Sequence, residues 1–374
     1  MQSMFIPDTG STSLPNLETD MKLKPIVALP VCDRLAYILS WGSRIFDHQK
    51  QMVAAVERRL AKAIEAGRCE YTFVKGARYH LNFNIKLHSG SKALVQVGAL
   101  QPQRQKGGIR VLVNPSKWLP GDVELLHRTL RRLIGEVEYD ELMKHPRINV
   151  VDFAVDIQHA NLDRMLVTYT NAQQHTVFGK RMSKNGRVET YNFGSVSSDY
   201  MTSVYDKRAE RIHAALCQLA KHRNGGGLGR ESLKANLIKQ FHAALDEPER
   251  MRVEVRGKKL RGLHLAKLAQ LSNRFKRFGF TMLDADGAGL DELTKLAFIS
   301  ICQQYDLKTA LTAFKNSRQA RKVRKFWRDR QATWWKPEPM WQQACDALRD
   351  LGLFPAEAFV DDDEQPAARP KKRR

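Results

Sequence analysis

Apolar and polar residues alternate in many short stretches of the chain, each bounded by glycine, proline or asparagine. A period of two is typical of strands that bury one face. The first group is "YTFVKG", "YHLNFNIKLH", "KALVQVGAL" and "GIRVLVNP". The second group is "INVVDFAVDI", "RMLVTYT", "HTVFGKRM", "VETYNFGS" and "MTSVYDK", and "RMRVEVRG" follows after two helical segments. The alternation predicts two successive sets of strands.

Helical periodicity separates and follows these strands. "DRLAYILSWGSRIFDHQKQMVAAVERRLAKAIEAG" has apolar residues at helical spacing and predicts a helix, broken near Gly42 and ended by Gly67. "VELLHRTLRRLIGEV", "AERIHAALCQLAKH" and "ESLKANLIKQFHAAL" predict three more helices. Later segments predict a helical region, namely "LRGLHLAKLAQLSNRFKRFG", "GLDELTKLAFISICQQY" and "LKTALTAFKNSRQARKVRKFWRDRQATWW".

This order of elements predicts an α+β protein. Two strand–helix–strand units, residues 31–145 and 146–257, are expected to share one antiparallel sheet, and their similar order suggests a duplication. A basic helical region is expected at residues 258–355. Residues 1–30, rich in Ser, Pro, Thr and Asp, predict a flexible arm, and the charge blocks of residues 356–374 predict a disordered tail.

The net charge of +22 indicates which kind of partner the protein binds and says nothing of its fold. A sequence pI near 9.9 favours capture of polyanions, and nucleic acid fits better than a membrane surface because no basic amphipathic segment has an apolar anchor. A merely soluble basic protein is the alternative. The five cysteines lie far apart without a CxxC pair, which disfavours zinc and disulfides and fits a reducing cytoplasm. No secretion leader or membrane-length apolar stretch is expected.

Carboxylates on two of the predicted strands are candidates for chemistry. In "VVDFAVDIQ", Asp152 and Asp156 share the face opposite the apolar residues, and in "MRVEVRG", Glu254 shares a face with Arg252 and Arg256. A solvated face or a surface ion pair would explain both patterns. An oxygen-ligand site for a divalent cation would explain them as well. Asp152 and Asp156 are about 13 Å apart on a regular strand, so only one of the two is expected to be a direct ligand.

Three tyrosines lie in "ETYNFGSVSSDYMTSVYDKRAER". Tyr191 and Tyr205 fall on predicted strands, Tyr200 falls in the link between them, and Lys207 follows Tyr205 at a strand-to-helix junction. A tyrosine hydroxyl is a poor nucleophile at its usual pKa near 10, and it becomes competent beside a cation or a metal. Packing of Tyr205 as a strand aromatic is the alternative interpretation.

Four motifs in this order resemble a known family. "IRVLVNPSKW", "INVVDFAVDIQ", "ETYNFGSVSSDYMTSVYDKRAE" and "RMRVEVRGKKLRG" are similar to segments of the rolling-circle replication initiators of filamentous phages and small plasmids, the replication initiation factor family, with the gene II/X proteins as analogues. The resemblance covers roughly residues 70–270. It implies a duplicated, palm-like initiator fold. It also implies an enzyme that nicks one strand of its origin, stays bound to the 5′ phosphate and frees a 3′ hydroxyl.

The resemblance also implies roles for individual residues. Tyr205 would be the nucleophile with Lys207 beside the scissile phosphate, and Tyr200 is the alternative nucleophile. Asp152, Asp156 and Glu254 would form the acidic site for Mg²⁺ or Mn²⁺. The implied setting is the cytoplasm of a bacterial host cell.

Basic residues late in the chain predict contacts with DNA phosphates. They are Arg321, Lys322, Arg324, Lys325 and Arg328, with Arg252 and Arg256 beside the predicted site. Four aromatic residues could stack on exposed bases or could instead pack on the domain: Phe326, Trp327, Trp334 and Trp335.

The expected partner is origin DNA, either single-stranded or melted. No GxxxxGK[ST] motif occurs in the chain, so unwinding would need a host helicase, and extension of the free end a polymerase. Two other functions stay open. One is a DNA-binding regulator without catalysis, and the other is a plasmid mobilisation relaxase.

Overall fold

A large antiparallel sheet runs through the protein, as the alternating pattern predicts. The computed structural model describes residues 24–41, 46–101, 108–170, 179–182, 188–195, 197–224, 230–282, 290–305, 307–316 and 318–360. Within those residues the strands are Ile26–Val27 (β1), Val31–Leu39 (β2), Cys69–Tyr71 (β3), Tyr79–Lys86 (β4), Lys92–Ala99 (β5), Ile109–Val113 (β6), Arg147–Gln158 (β7), Met165–Tyr169 (β8), Gly179–Met182 (β9), Val188–Phe193 (β10), Tyr200–Asp206 (β11), Arg250–Gly257 (β12), Leu263–His264 (β13) and Phe278–Met282 (β14).

Strand β7 lies in the middle of this sheet. The order across the sheet is β3-β4-β5-β6-β2-β7-β12-β11-β10-β9, and β1 and β13 also pair with β7. Strands β2 and β7, each early in its half of the chain, pair with each other, and each also pairs with the last strand of its own half, β6 or β12. Strands β8 and β14 form a separate two-stranded ribbon.

The α-helices lie between and after the strands along the chain. The α-helices are Phe46–Glu65 (α1), Asp122–Ile134 (α2), Glu136–Met143 (α3), Lys207–Asn224 (α4), Arg230–Leu245 (α5), Glu292–Gln304 (α6), Leu307–Ala313 (α7), Ala320–Asp329 (α8) and Pro337–Asp350 (α9). Helix α1 follows β2 in the first half, whereas α4 and α5 precede β12 in the second half. The two halves therefore differ in connectivity.

The main hydrophobic core lies between the sheet and helices α1, α2 and α9. Leu60 of α1 and Leu130 of α2 are fully buried in it. Phe153 of β7 meets Trp341 of α9 edge-to-face with ring centroids 5.7 Å apart. Burial of these apolar side chains on one face leaves the alternate residues of each strand on the other face. No helix among the described residues is long and apolar enough to cross a membrane.

The prediction of a helix from residue 33 is wrong for its first part. Val31–Leu39 is strand β2, hydrogen-bonded between β6 and β7, and helix α1 begins only at Phe46. Leu35, Tyr37 and Leu39 are buried and alternate along the strand. A short apolar run fits both the period of a strand and the period of a helix. Hydrogen bonding to β6 and β7 on both sides makes this segment a strand.

The predicted helix "LRGLHLAKLAQLSNRFKRFG" is also wrong. Residues 263–279 instead form β13, the 3-10 helices Leu265–Gln270 and Arg274–Arg277, and the start of β14. Leu265 and Leu268 are buried, and Leu271 packs against the same core. A spacing of three suits the three residues per turn of a 3-10 helix.

Several predicted boundaries shift accordingly. Residues 26–27 of the predicted arm form β1 on the sheet, whereas residues 1–23 lie outside the described part. The predicted helical region starting at residue 258 is not a separate unit, because β13 pairs with β7 and α9 packs on the main core. Among the described helices, α6, α7 and α8 centre on a second cluster, which also includes Leu166 of β8. Ala356–Phe359, predicted as disordered tail, is a 3-10 helix, and residues 361–374 lie outside the described part.

Candidate functional site

Strands β11, β12 and β7 bring the sequence-predicted site residues together on the polar face of the sheet. Their antiparallel register aligns side chains in three rows of three. The rows are Tyr205, Arg252 and Asp156, then Ser203, Glu254 and Ala154, then Met201, Arg256 and Asp152. The intervening residues of β12, Met251, Val253 and Val255, are buried in the main core. Period-two alternation thus separates a packed face from a face available for chemistry.

Tyr205 is bonded to the central carboxylate of this grid. Its hydroxyl donates a hydrogen bond of 2.6 Å to Oε1 of Glu254. Burial and the negative charge of Glu254 raise the pKa of Tyr205, which keeps the hydroxyl protonated. Lys207, the first residue of α4, lies with Nζ 5.7 Å from the centre of the Tyr205 ring and 2.7 Å from Oε2 of Glu210. The nearest proton acceptor for this hydroxyl is therefore Glu254.

Glu254 links the tyrosine to an arginine. It is only 4% exposed, and its Oε2 accepts a 2.8 Å hydrogen bond from Nε of Arg256 as well as a bond from the Nη2 of the same guanidinium. Charge-assisted bonds of this kind fix a carboxylate in orientation. Glu254 thus holds Tyr205 through one oxygen and Arg256 through the other.

Asp152 is buried without a fixed partner. It is 6% exposed, and its Oδ1 makes no hydrogen bond to the described residues. Its pKa is raised to about 7, chiefly by burial; the charges of Arg256 and Arg34 oppose the rise, and those of Glu254 and Asp33 add to it. A buried carboxylate oxygen without a hydrogen bond lowers the stability of the fold, and binding of a ligand or a water at Oδ1 would remove that cost.

Ser203 shows the same condition on the other side of Glu254. Its side chain is buried, and its Oγ has no hydrogen-bond partner in the described part of the chain. Ala154, opposite Glu254 on β7, presents only a methyl group. The centre of the grid therefore offers unsatisfied oxygen atoms beside a small side chain.

Asp156, in contrast, is engaged by arginines. Its two oxygens accept hydrogen bonds of 2.6 and 2.9 Å from Arg252, and Arg250 lies 3.7 Å away. Arg252 also lies 3.7 Å from Asp33, which accepts a 2.6 Å hydrogen bond from Ser116. This ion-pair network ties β12 and β7 to β2 and occupies the carboxylate of Asp156.

These observations bear on the predicted metal ligands. No group of three or more His, Cys, Asp or Glu side chains could hold a metal ion within the described residues. Mg²⁺ keeps several waters and needs only one or two carboxylates, so Asp152 can serve as one ligand, whereas its diagonal neighbour Glu254 would have to exchange a bond to Tyr205 or Arg256 to serve as a second. The unpartnered Oδ1 of Asp152 supports Asp152 in that role. Asp156 as a ligand stays a prediction, and its bonds to Arg252 favour Asp152 as the direct ligand.

The other two tyrosines lie away from the grid. Tyr200 is the first residue of β11 and not part of a link, and its ring packs under Arg274 with the guanidinium 4.2 Å from the centroid. Tyr191 is buried in the main core on β10, where its ring stacks parallel to Phe193. Of the three tyrosines, only Tyr205 contacts Glu254.

The predicted DNA-binding helix is only partly as expected. All five predicted basic residues of α8 are exposed: Arg321, Lys322, Arg324, Lys325 and Arg328. Its aromatic residues are not free for bases. Phe326 is buried and Trp327 half-buried against the second cluster, while Trp335 is buried in the main core and Trp334 packs against it. Packing on the domain, the alternative interpretation, therefore holds for the aromatic side chains.

Three residues near the grid escaped sequence reasoning, namely Asp33, Arg34 and Lys258. The first two fall in a stretch that sequence periodicity assigns to a helix, and the third follows the end of β12. No local signal marks them, because their position depends on strand pairing across the sheet.

Comparison with known proteins adds no family. No family model matches the chain, and no curated protein matches it. The conclusion that the geometry itself supports is a polar sheet face on which a half-buried tyrosine, three carboxylates and several guanidinium groups converge.

Proposed function

We propose that the chain is a rolling-circle replication initiator that nicks one strand of its origin through Tyr205. The phenolic oxygen would form a bond to phosphorus while the bond from phosphorus to the 3′ oxygen breaks. The product is a 5′-phosphotyrosyl adduct and a free 3′ hydroxyl. One phosphodiester replaces another, so the step is readily reversible and a closing reaction can follow.

The observation that carries this proposal is the 2.6 Å hydrogen bond from Tyr205 to Glu254 on the polar face of the sheet. A nucleophile and a proton acceptor within hydrogen-bond reach are the signature of an activated hydroxyl. Glu254 can take the phenolic proton as the bond to phosphorus forms, and the departing 3′ oxygen takes up a proton from the surrounding water. Arg256, bonded to the same carboxylate, is positioned to contact phosphate oxygens.

The unpartnered Oδ1 of Asp152 would hold a divalent cation next to Glu254. When bound, Mg²⁺ or Mn²⁺ would polarise the phosphate and lower the pKa of the attacking hydroxyl. Lys207, beside the Tyr205 ring, favours the phenolate electrostatically. Arg252 donates two hydrogen bonds to Asp156, and this pair would hold the neighbouring Tyr205 in place.

The expected partner is single-stranded or melted origin DNA, with host helicase and polymerase acting afterwards. The net charge of +22 and the exposed cations of α8 support binding of a polyanion. The bacterial cytoplasm is the corresponding place of action.

The test is formation of a covalent adduct. Purified protein is incubated with Mn²⁺ or Mg²⁺ and 5′- or 3′-labelled single strands that tile its own replicon, and the products are run on a denaturing gel. We expect a protein-linked band with wild type and none with Tyr205→Phe, which removes one oxygen and keeps the ring. An adduct that persists in Tyr205→Phe overturns Tyr205 as the nucleophile.

A non-catalytic DNA-binding regulator is the second candidate, because the raised pKa of Tyr205 and the exposed basic helix fit a protein that only binds. Salt-sensitive DNA binding without an adduct for any strand in either metal would favour it. Transfer of a strand between two DNA molecules in place of replication priming would favour the mobilisation relaxase.

A further inference from the structure

A β-bulge in strand β2 points two consecutive side chains toward the polar face. Cys32 pairs with Phe153 and Arg34 pairs with Asp152, so Asp33 is an extra residue between two adjacent pairs. Cys32 is buried in the main core, whereas Asp33 lies 3.7 Å from Arg252 on the polar face. In a regular strand Asp33 and Arg34 would lie on opposite faces. Bulges often re-aim side chains beside active sites.

Arg34 is a cation without a fixed partner. It lies opposite Asp152 and is exposed, and its side chain makes no hydrogen bond or ion pair with the described residues. Its charge is close enough to act on Asp152 and on Arg110. Its guanidinium donors are therefore available to a ligand on this face.

Lys258 approaches the same point from the end of β12. It follows Gly257 in the even-numbered series that carries Glu254 and Arg256, and its Nζ lies 3.0 Å from Sδ of Met201. Burial and the charge of Arg256 lower the pKa of Lys258. No carboxylate contacts its ammonium group among the described residues, so a second cation is held close to Arg256 without neutralisation.

Charge and donor count together indicate an anion. Arg34, Arg110, Arg256 and Lys258 face three carboxylates, Asp33, Asp152 and Glu254, which leaves an excess of positive charge. The guanidinium fork of Arg34, the Nη1 group of Arg256 that Glu254 does not engage, and the ammonium group of Lys258 provide the donors that recognise phosphate oxygens. The hydroxyl of Tyr205 reaches Glu254 in the middle row, and the row of Arg256 is one row further, about 7 Å along the strands.

We propose that Arg34, Arg256 and Lys258 form a binding site for a backbone phosphate of the DNA strand, next to the phosphate that Tyr205 attacks. This inference rests on the proposed function for the identity of the strand. The site fixes the strand in register, so that the scissile phosphate lies over Tyr205 and Glu254. The bulge at Asp33 is the feature that brings Arg34 into it.

The test measures binding without cleavage. All variants are made in the Tyr205→Phe background, and their affinity for fluorescein-labelled oligodeoxythymidylate is followed by anisotropy over a range of salt concentrations. We expect Arg34→Gln and Lys258→Gln each to weaken binding about five- to tenfold and to reduce the slope of log K against log salt by about 0.7. Arg34→Lys should retain part of the affinity.

The matched control is Lys259→Gln, which removes the same charge from the residue next to Lys258. Its Nζ donates to the carbonyl of Ser197, away from the grid, so we expect less than about a twofold effect. Circular dichroism checks folding. If Arg34→Gln does not fold, Arg34→Lys and Lys258→Gln still decide.

Two outcomes separate this site from the proposed function. Equal behaviour of Arg34→Gln, Lys258→Gln and Lys259→Gln overturns the phosphate site, even when wild type forms the adduct. Loss of affinity and slope in the first two, without any adduct in wild type, supports the phosphate site and removes the nicking reaction.

Discussion

Tyr200 and Tyr205 belong to the same strand and lie on opposite faces of the sheet. They are five residues apart on β11. Because successive side chains of a strand point to opposite faces, residues at an odd spacing lie on opposite faces. Tyr205 bonds to Glu254, whereas the ring of Tyr200 lies under Arg274. The resemblance left Tyr200 as the alternative nucleophile, and the strand register separates it from every acidic residue of the grid.

We expect Tyr200→Phe to form the adduct at no less than about half the wild-type rate, because the change removes only a hydroxyl that is remote from Glu254. The measurement is the denaturing-gel assay, with Tyr205→Phe in parallel. Loss of the adduct in Tyr200→Phe, with retention in Tyr205→Phe, would reverse the assignment.

Asp156 is expected to act mainly on stability. Asp156→Ala leaves Arg252, whose side chain is 12% exposed, with only the 3.7 Å contact to Asp33. Loss of one partner of a buried ion pair should lower the free energy of unfolding by about 2–4 kcal/mol in urea titrations.

Two controls accompany that measurement. Lys144→Ala breaks a pair with Glu141 in which both side chains are more than half exposed, and should cost at most about 1 kcal/mol. Asp156→Ala combined with Arg252→Met should be less destabilised than Asp156→Ala alone, since the double change leaves no buried unpaired charge. If Asp156→Ala and Lys144→Ala lowered the free energy of unfolding by equal amounts, that result would contradict the description of Asp156 as part of an ion-pair network.

Metal binding should distinguish the two aspartates. We expect Asp152→Asn to weaken Mn²⁺ binding at least about tenfold in calorimetric titrations, and Asp156→Asn to weaken it less than about threefold, because Asp156 is bound to Arg252. The reverse order would assign the direct ligand to Asp156. Both variants keep the side-chain volume, so folding is a smaller concern than with alanine.

The buried carboxyl of Asp152 should make stability depend on pH. Its folded-state pKa of about 7 is above the usual value near 4, so the folded state holds the proton more tightly than the unfolded state. This contribution to stability is complete below about pH 4 and is lost as the pH rises through about 7. Asp152→Asn, which mimics the protonated form, should therefore gain about 1–3 kcal/mol relative to wild type between pH 4 and pH 8. Unfolding curves in EDTA measure the difference, and a constant difference across that range would contradict it.

Helix α8 should contribute affinity without contributing stability. Arg321→Gln with Lys325→Gln removes two exposed charges, and we expect a shallower salt dependence of DNA binding by about 1.4 in slope with an unchanged melting temperature. Arg58→Gln with Lys62→Gln removes the same types at the same spacing from α1. That control pair should leave the slope nearly unchanged. An equal change in slope for both pairs would mean that α8 contributes only through the net charge of the protein and not as a specific binding surface.

The polar face could be predicted in part from sequence. Alternation in "VVDFAVDIQ" and "MRVEVRG" places Asp152 with Asp156 and Glu254 with Arg256, and the structure keeps both arrangements. Which strands are neighbours could not be predicted in this way. Strand β12 lies between β7 and β11 although helices α4 and α5 separate it from β11 in sequence, because pairing is decided by long-range packing and not by local pattern.

The bulge shows a second limit of local reasoning. "DRLAYIL" lacks the alternation of polar and apolar residues that marks a strand. The segment is nevertheless strand β2, because β6 and β7 pair with it on both sides and Leu35 is buried in the core. Arg34 joins the site only through one unpaired residue in that strand. Likewise, Trp335 looked available for bases, but its indole donates to the carbonyl of Phe275 inside the core.

The position of β7 at the centre of the sheet has a consequence for dissection of the protein. A cut between His145 and Arg147 would divide the chain at the boundary that its sequence suggests, yet both edges of β7 carry hydrogen bonds, to β2 on one side and to β12 on the other. Each fragment would expose an unpaired strand edge and half of the main core. The two pieces are therefore halves of one cooperative unit. Co-expressed, they would be expected to recombine through β2 and β7, whereas either one produced alone would aggregate.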